Sequence, residues 1–168
     1  MPKGLKETSG LITIGFGANE TVAGTMVQER VDLQLNVLDR EVFVVYGVNL
    51  DLSAPEMITG TNTATFASVS TTSRTAVGSL SDANVLATAG NQIESDATNA
   101  ASFSYSSADS PATQLEYLGL IATNDFYVQV IGANNVGVAS TSGRIYGVRA
   151  QASADIFAAL TQSELLSA

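Results

Sequence analysis

The chain contains no histidine, no cysteine and no tryptophan, so the side chains behind most acid–base, nucleophilic and thiol-metal chemistry at neutral pH are missing. Ser-His-Asp and Cys-His nucleophiles are excluded on that ground, as are zinc sites of the usual ligand sets. Carboxylates remain. Asp51 with Glu56, or Glu94 with Asp96, has the chemistry to protonate and attack a glycosidic bond. Nothing in the sequence frames either pair with aromatic sugar platforms, and solvated loop carboxylates are the plainer reading. Calcium needs only oxygen ligands. Asp109, Asn124 and Asp125, or Glu94 with Asp96, could supply some of them, although no stretch matches a twelve-residue Asp-x-Asp-x-Asp-Gly loop. Gly15-Phe16-Gly17-Ala18-Asn19 resembles half of a phosphate-cradling glycine loop. It lacks the following lysine and apolar helix, so a turn between strands is expected there. The sequence thus predicts no catalytic residue, no metal site and no cofactor, with calcium the one ion left open.

Charge is scarce and uneven. Only 14% of residues are charged, against about 25% in an average globular protein, which reads as a surface meant to meet other protein. The net charge of −9 repels phosphate backbones and argues against broad nucleic-acid binding. Lys3 and Lys6 fall in the first seven residues, whereas no cation lies between Arg74 and Arg144. That short basic start could touch an anionic surface, or simply be solvated. Glu29-Arg30 and Asp39-Arg40-Glu41 set opposite charges side by side. On a lone surface such pairs contribute little; across a boundary between copies they fix orientation. Without cysteine there is no disulfide framework. The start Met-Pro-Lys-Gly-Leu-Lys has no apolar core of a secretory signal, and no apolar run reaches the roughly 18 residues of a membrane span.

The elements that must carry these residues alternate by two rather than by 3.6. Leu11 to Ile14 opens the series, with Gly15 and Gly17 closing it. Met26 to Val37 reads as a half-buried strand, with Val27, Val31, Leu33, Leu35 and Val37 on one face. A turn at Asp39-Arg40 leads into Glu41 to Leu52, apolar on both faces: Val42, Val44, Tyr46, Val48 and Leu50 on one, Phe43 and Val45 on the other. It reads as a central strand ended by Pro55. From Thr59 to Ser110 small polar residues dominate, with strand-like pieces at 65–70, 84–89 and 100–105 and weakly specified register. Further strands are expected at 114–122, 126–131, 136–139 and 144–152, with turns at 123–125, 132–135 and 141–143. Ser153 is placed to cap a helix over 154–165 whose apolar positions include Ile156, Ala159, Leu160, Leu165 and Leu166. Most aromatic residues fall in strands and are expected in the core, while Phe157 is expected at a contact between subunits.

About eight strands without βα alternation predict an all-β fold: a two-sheet antiparallel sandwich, a jelly roll, with a short C-terminal helix. The expected organisation is an N-terminal arm over 1–10, a sandwich over 11–152 and a helix with tail over 153–168. The residues expected to meet other copies are Lys3, Lys6, Arg30, Arg40, Glu41, Ile156, Phe157, Leu160 and Leu165.

A short basic arm and an alternating strand precede Glu41-Val-Phe-Val-Val-Tyr-Gly-Val-Asn-Leu-Asp-Leu-Ser-Ala-Pro55; a Ser/Thr/Ala-rich middle and a closing strand with its tail follow. Taken together this order resembles the small jelly-roll coat proteins of bacterial and archaeal viruses. The resemblance is one of architecture, covers most of the chain and carries no diagnostic motif. It implies a major capsid protein, located in the virion, whose partners are copies of itself and other virion proteins, with terminal arms exchanged between neighbours. The basic arm is far shorter than those that condense RNA in some small viruses. A carbohydrate- or receptor-binding sandwich and a filament or surface-layer subunit are the other readings, and an enzyme comes last.

Overall fold

A computed structural model describes residues 1–106 and 115–167. Among these, one sheet holds β1 (Leu5–Glu7), β2 (Ile12–Asn19), β4 (Glu41–Leu52), β8 (Gly119–Ile121) and β10 (Ser140–Ala152). The other holds β3 (Val27–Asp32), β5 (Thr63–Ser70), β6 (Val85–Ser95), β7 (Ala100–Ser106) and β9 (Asp125–Ala133). All pairings are antiparallel. The first sheet runs β2-β10-β4-β8, with β1 on the same edge of β10 as β2, and the second runs β3-β9-β5-β6-β7. With β1 and β7 set aside, the pairing is nested: β2 with β10, β3 with β9, β4 with β8, β5 with β6. Such a folded-back ribbon is the jelly roll. Eight of the ten strands described make this roll, and β1 and β7, the latter the strand-like piece expected at 100–105, extend its edges.

The core lies between the sheets. Phe43, Val45, Val48 and Leu50 of β4 and Ile145 of β10 meet Val69, Ala87, Phe126, Val128 and Val130 of the facing sheet. Phe16 stands edge-on to Phe126 with ring centroids 5.6 Å apart, the geometry that aromatic quadrupoles favour. A second apolar cluster sits on the outer face of the first sheet. There Ile156, Phe157 and Leu160 of α1 (Ala154–Ser167) cover Val42, Val44, Val148, Ala150 and Ala152. The helix begins after Ser153, whose carbonyl accepts the Phe157 N–H at 2.9 Å. This second cluster is why β4 is apolar on both faces.

The faces of β4 nonetheless differ from the alternation expected. Tyr146 lies opposite Gly47, but Gly147 lies opposite Val45, so Tyr46 is an extra residue, a β-bulge. Beyond it the parity inverts. Val48 and Leu50 turn inward to join Phe43 and Val45, leaving only Val42 and Val44 for the helix. Other boundaries also shift. β2 continues through Gly15 and Gly17 to Asn19 because β10 pairs with it throughout. The strand expected over 26–37 ends at Asp32: Gln34 and Arg40 take left-handed φ of 53° and 54°, and Val37–Asp39 form a 3-10 turn that exposes Val37. Residues 141–143 lie inside β10 rather than in a turn, and 136–139 form a loop rather than a strand. The strand expected over 114–122 reduces to β8, with Gln114 outside the described residues.

The Ser/Thr-rich middle has its own physical reason. The outer face of the second sheet is polar yet buried beneath the loop over 71–84. Ser68 donates to Gln129 Oε1 at 2.6 Å, and Gln129 Nε2 donates to Ser70 Oγ at 2.8 Å and to Gln28 Oε1 at 2.9 Å. The loop joins through its Gly78 N–H on Ser68 Oγ and its Arg74 N–H on Gln28 Oε1. A buried polar face is stable only when its groups are paired in this way.

Candidate assembly surfaces

Each end of the roll is a set of loops tied together by polar side chains, of which Glu20 and Glu164 are buried. At one end, Glu20 accepts the N–H groups of Ala139 at 2.6 Å, Gly132 at 2.8 Å and Gly24 at 3.2 Å. Glu56 accepts those of Val136 at 2.6 Å and Gly137 at 3.0 Å. These bonds gather the loops 20–26, 53–62 and 134–139. The same loops hold Val22, Met57, Val136 and Val138 out in solvent, Val136 at 83% exposure.

At the opposite end, Asn124 Oδ1 accepts the Leu35 N–H at 2.5 Å and its carbonyl accepts the Leu33 N–H at 2.9 Å. Glu164 of α1 accepts the N–H groups of Ala122 and Thr123, both at 2.9 Å. Burial pushes this carboxyl above the usual glutamate range, while those two N–H donors pull against the rise. The corner over 33–40, the turn over 122–124 and the end of the helix are thus joined. Val37, Leu38, Leu165 and Leu166 project from them, Leu38 at 93% exposure. A third bare feature is β7, an edge strand of Ala, Ser, Phe103 and Tyr105 that carries no charge and is exposed along almost its whole length. Natural sheets commonly guard such an edge with lysine, proline or a bulge.

The residues expected at contacts distribute as follows. Lys6 and Arg40 come together around a shallow concavity of about 340 Å³ shared with Gly4, Leu5 and Gln151; Lys3 is exposed just before it. Glu41 accepts the Asn36 N–H at 2.9 Å and faces Arg149 at 3.9 Å. Arg30 stands apart on β3, bonded to Asp125 at 2.6 Å and to Asp32 at 3.1 Å. Ile156, Phe157 and Leu160 pack on their own sheet, whereas Leu165 faces outward at 70% exposure.

The chain matches no family model and no curated protein. Two of the residues weighed for calcium are engaged in the fold's own bonds: Asn124 with Leu35, Asp125 with Arg30. Asp109 lies outside the described residues. Asp96 accepts the N–H groups of Thr98 and Asn99 in the β6–β7 turn, and these hold its carboxyl below the usual range. Among the described residues no group of three or more acidic side chains stands together. Gly15-Phe16-Gly17 is strand, not a loop around a phosphate. Glu20 and Glu164 went unseen in the sequence, where a glutamate reads by default as surface. The one available signal was Glu164 among Leu160, Leu165 and Leu166 on a helix that otherwise carries a single charge, Asp155.

Proposed function

We propose that this chain is a structural subunit that assembles with copies of itself, and that it is the major capsid protein of a virus, located in the virion. Jelly rolls serve lectins and cupins as well as capsids, so the fold alone does not carry the reading. What supports it is the distribution of apolar surface. Val22, Met57, Val136 and Val138 at one end, and Val37, Leu38, Leu165 and Leu166 at the other, are exposed in a chain with only 14% charged residues. Isolated exposed apolar side chains are ordinary, whereas groups of them mark interaction sites. Here two such groups occupy opposite ends of one rigid roll, the arrangement a tile needs to contact neighbours on both sides. Self-association also fits the shortage of cations, because apolar contact between copies needs no partner of opposite charge.

Size-exclusion chromatography with light scattering, followed by negative-stain electron microscopy of the purified chain, tests the proposal across a series of salt concentrations. Closed particles of uniform diameter are the expected result. A monomer under every salt condition would overturn it, and open filaments or planar lattices would replace the shell with a filament or surface-layer subunit.

A further inference from the structure

The half of the first sheet's outer face that α1 leaves uncovered forms a polar trough of about 420 Å³, lined by Asn49, Asp51, Ser142, Gly143, Arg144 and Tyr146. The strand register sets its floor in three rows across β4, β10 and β2: Gly47, Tyr146, Thr13; then Asn49, Arg144, Gly15; then Asp51, Ser142, Gly17. No aliphatic side chain belongs to these rows. The Asn49 amide donates to the Tyr146 hydroxyl at 3.4 Å. Among the described residues, neither the Arg144 guanidinium nor the Asp51 carboxylate has a side-chain hydrogen bond or ion pair, whereas Arg30, Arg74 and Arg149 are all engaged.

Gly15 and Gly47 shape the trough without being required by the fold. Neither has a positive φ, and a Cβ on either would meet nothing within 4 Å. Glycine inside a strand weakens it and often marks close approach of a ligand or another backbone. We infer that this trough is a saccharide-binding site. An amide, a carboxylate, a hydroxyl and a guanidinium side by side offer donors and acceptors together, which matches the mixed hydroxyls and ring oxygens of a sugar. Tyr146 is the one aromatic residue of that lining, the side-chain type on which a sugar's C–H groups stack. A protein partner would instead be met by an apolar centre, and a polyanion would be repelled by Asp51 and by the net charge of −9. The site goes beyond assembly and does not depend on it.

Soluble oligosaccharides of glucose, galactose and N-acetylglucosamine, presented to the purified chain at millimolar concentration, provide the test by saturation-transfer NMR and titration calorimetry. At least one series should bind the wild type. Arg144→Gln and Gly15→Val should each weaken that binding tenfold or more, about 1.4 kcal/mol, with the thermal midpoint not lowered because both positions are exposed. Absence of binding by all three series would overturn the inference, and so would equal binding by both variants. Sedimentation showing that Arg144→Gln dissociates copies of the chain would assign the trough to a protein contact instead and equally overturn it.

Discussion

Two buried glutamates hold this roll together by accepting backbone N–H groups rather than by pairing with cations. Glu20 reaches three donors, in the 20–26 loop, near the end of β9 and in the 134–139 loop, and Glu164 reaches two at a single turn. Bonds of this kind, with an ionised acceptor, are stronger than neutral ones, and a carboxylate removed from water needs them. At Glu164 desolvation outweighs them, and the nearby Asp125 charge adds to the rise, so the folded-state pKa lies above the unfolded one. The proton is then held more tightly by the folded chain. That contribution to stability is complete below the ordinary value of 4.5 and is lost as pH climbs through the folded value. Stability from this group therefore increases on acidification, the reverse of a salt-bridged carboxylate. Urea midpoints of wild type and Glu164→Gln at about pH 7 and about pH 5 measure it. The wild type should gain on the variant at the lower pH; a constant gap, or one moving the other way, would show that the N–H bonds dominate instead.

At the scale of elements, β4 and β10 show what alternation can and cannot reveal. The boundaries of β4 were legible as Glu41 to Leu52, because its run of large apolar residues has no competing period. Its bulge was not legible. An extra residue at Tyr46 leaves the composition unchanged while moving Val48 and Leu50 to the other face, and a one-residue slip always exchanges the faces. The helix at 154 onward was readable from its formers and cap, but the sheet face it covers was hidden in that same slip. In β5 and β6 small side chains left period and register faint, and the buried Ser68–Gln129–Ser70 network has no sequence signature that distinguishes it from a polar loop. For the candidate assembly surfaces the low charge was legible, whereas the ends depend on which loops Glu20, Glu56 and Glu164 gather. The register also places a demand on Gly147. A Cβ there would press on the Val44 carbonyl oxygen and come within 2.6 Å of Cε1 of Phe43. Since that oxygen belongs to the neighbouring strand's main chain, relief requires the sheet to move. Gly147→Ala should cost about 1–3 kcal/mol or more in urea denaturation, while Gly15→Ala, with open space above it, should be neutral or stabilising. Equal midpoints for the two variants would refute the close packing of β10 on β4.

For the molecule as a whole, the proposed assembly sets two forces against each other. A net charge of −9 makes copies repel over roughly a Debye length, about 10 Å at 0.1 M salt, while the apolar ends attract only on contact. Assembly should therefore strengthen as salt screens the repulsion, and placing a charge in the contact should abolish it. Leu38 and Val136 suit this test because they are 93% and 83% exposed and support no packing within their own roll. Lysine at either position should leave the unfolding midpoint within about 0.5 kcal/mol of wild type, so any loss of particles reports on contact rather than folding. A lysine also reduces the net negative charge, which by itself favours association. The long-range and contact terms thus predict opposite outcomes for one substitution. If apolar contact at the ends drives tiling, Leu38→Lys and Val136→Lys each lower the yield of particles in light scattering, and the double variant remains monomeric even at high salt. If the variants assemble as well as the wild type or better, repulsion was the only barrier, and the contacts lie elsewhere, with the uncharged edge of β7 next to be examined.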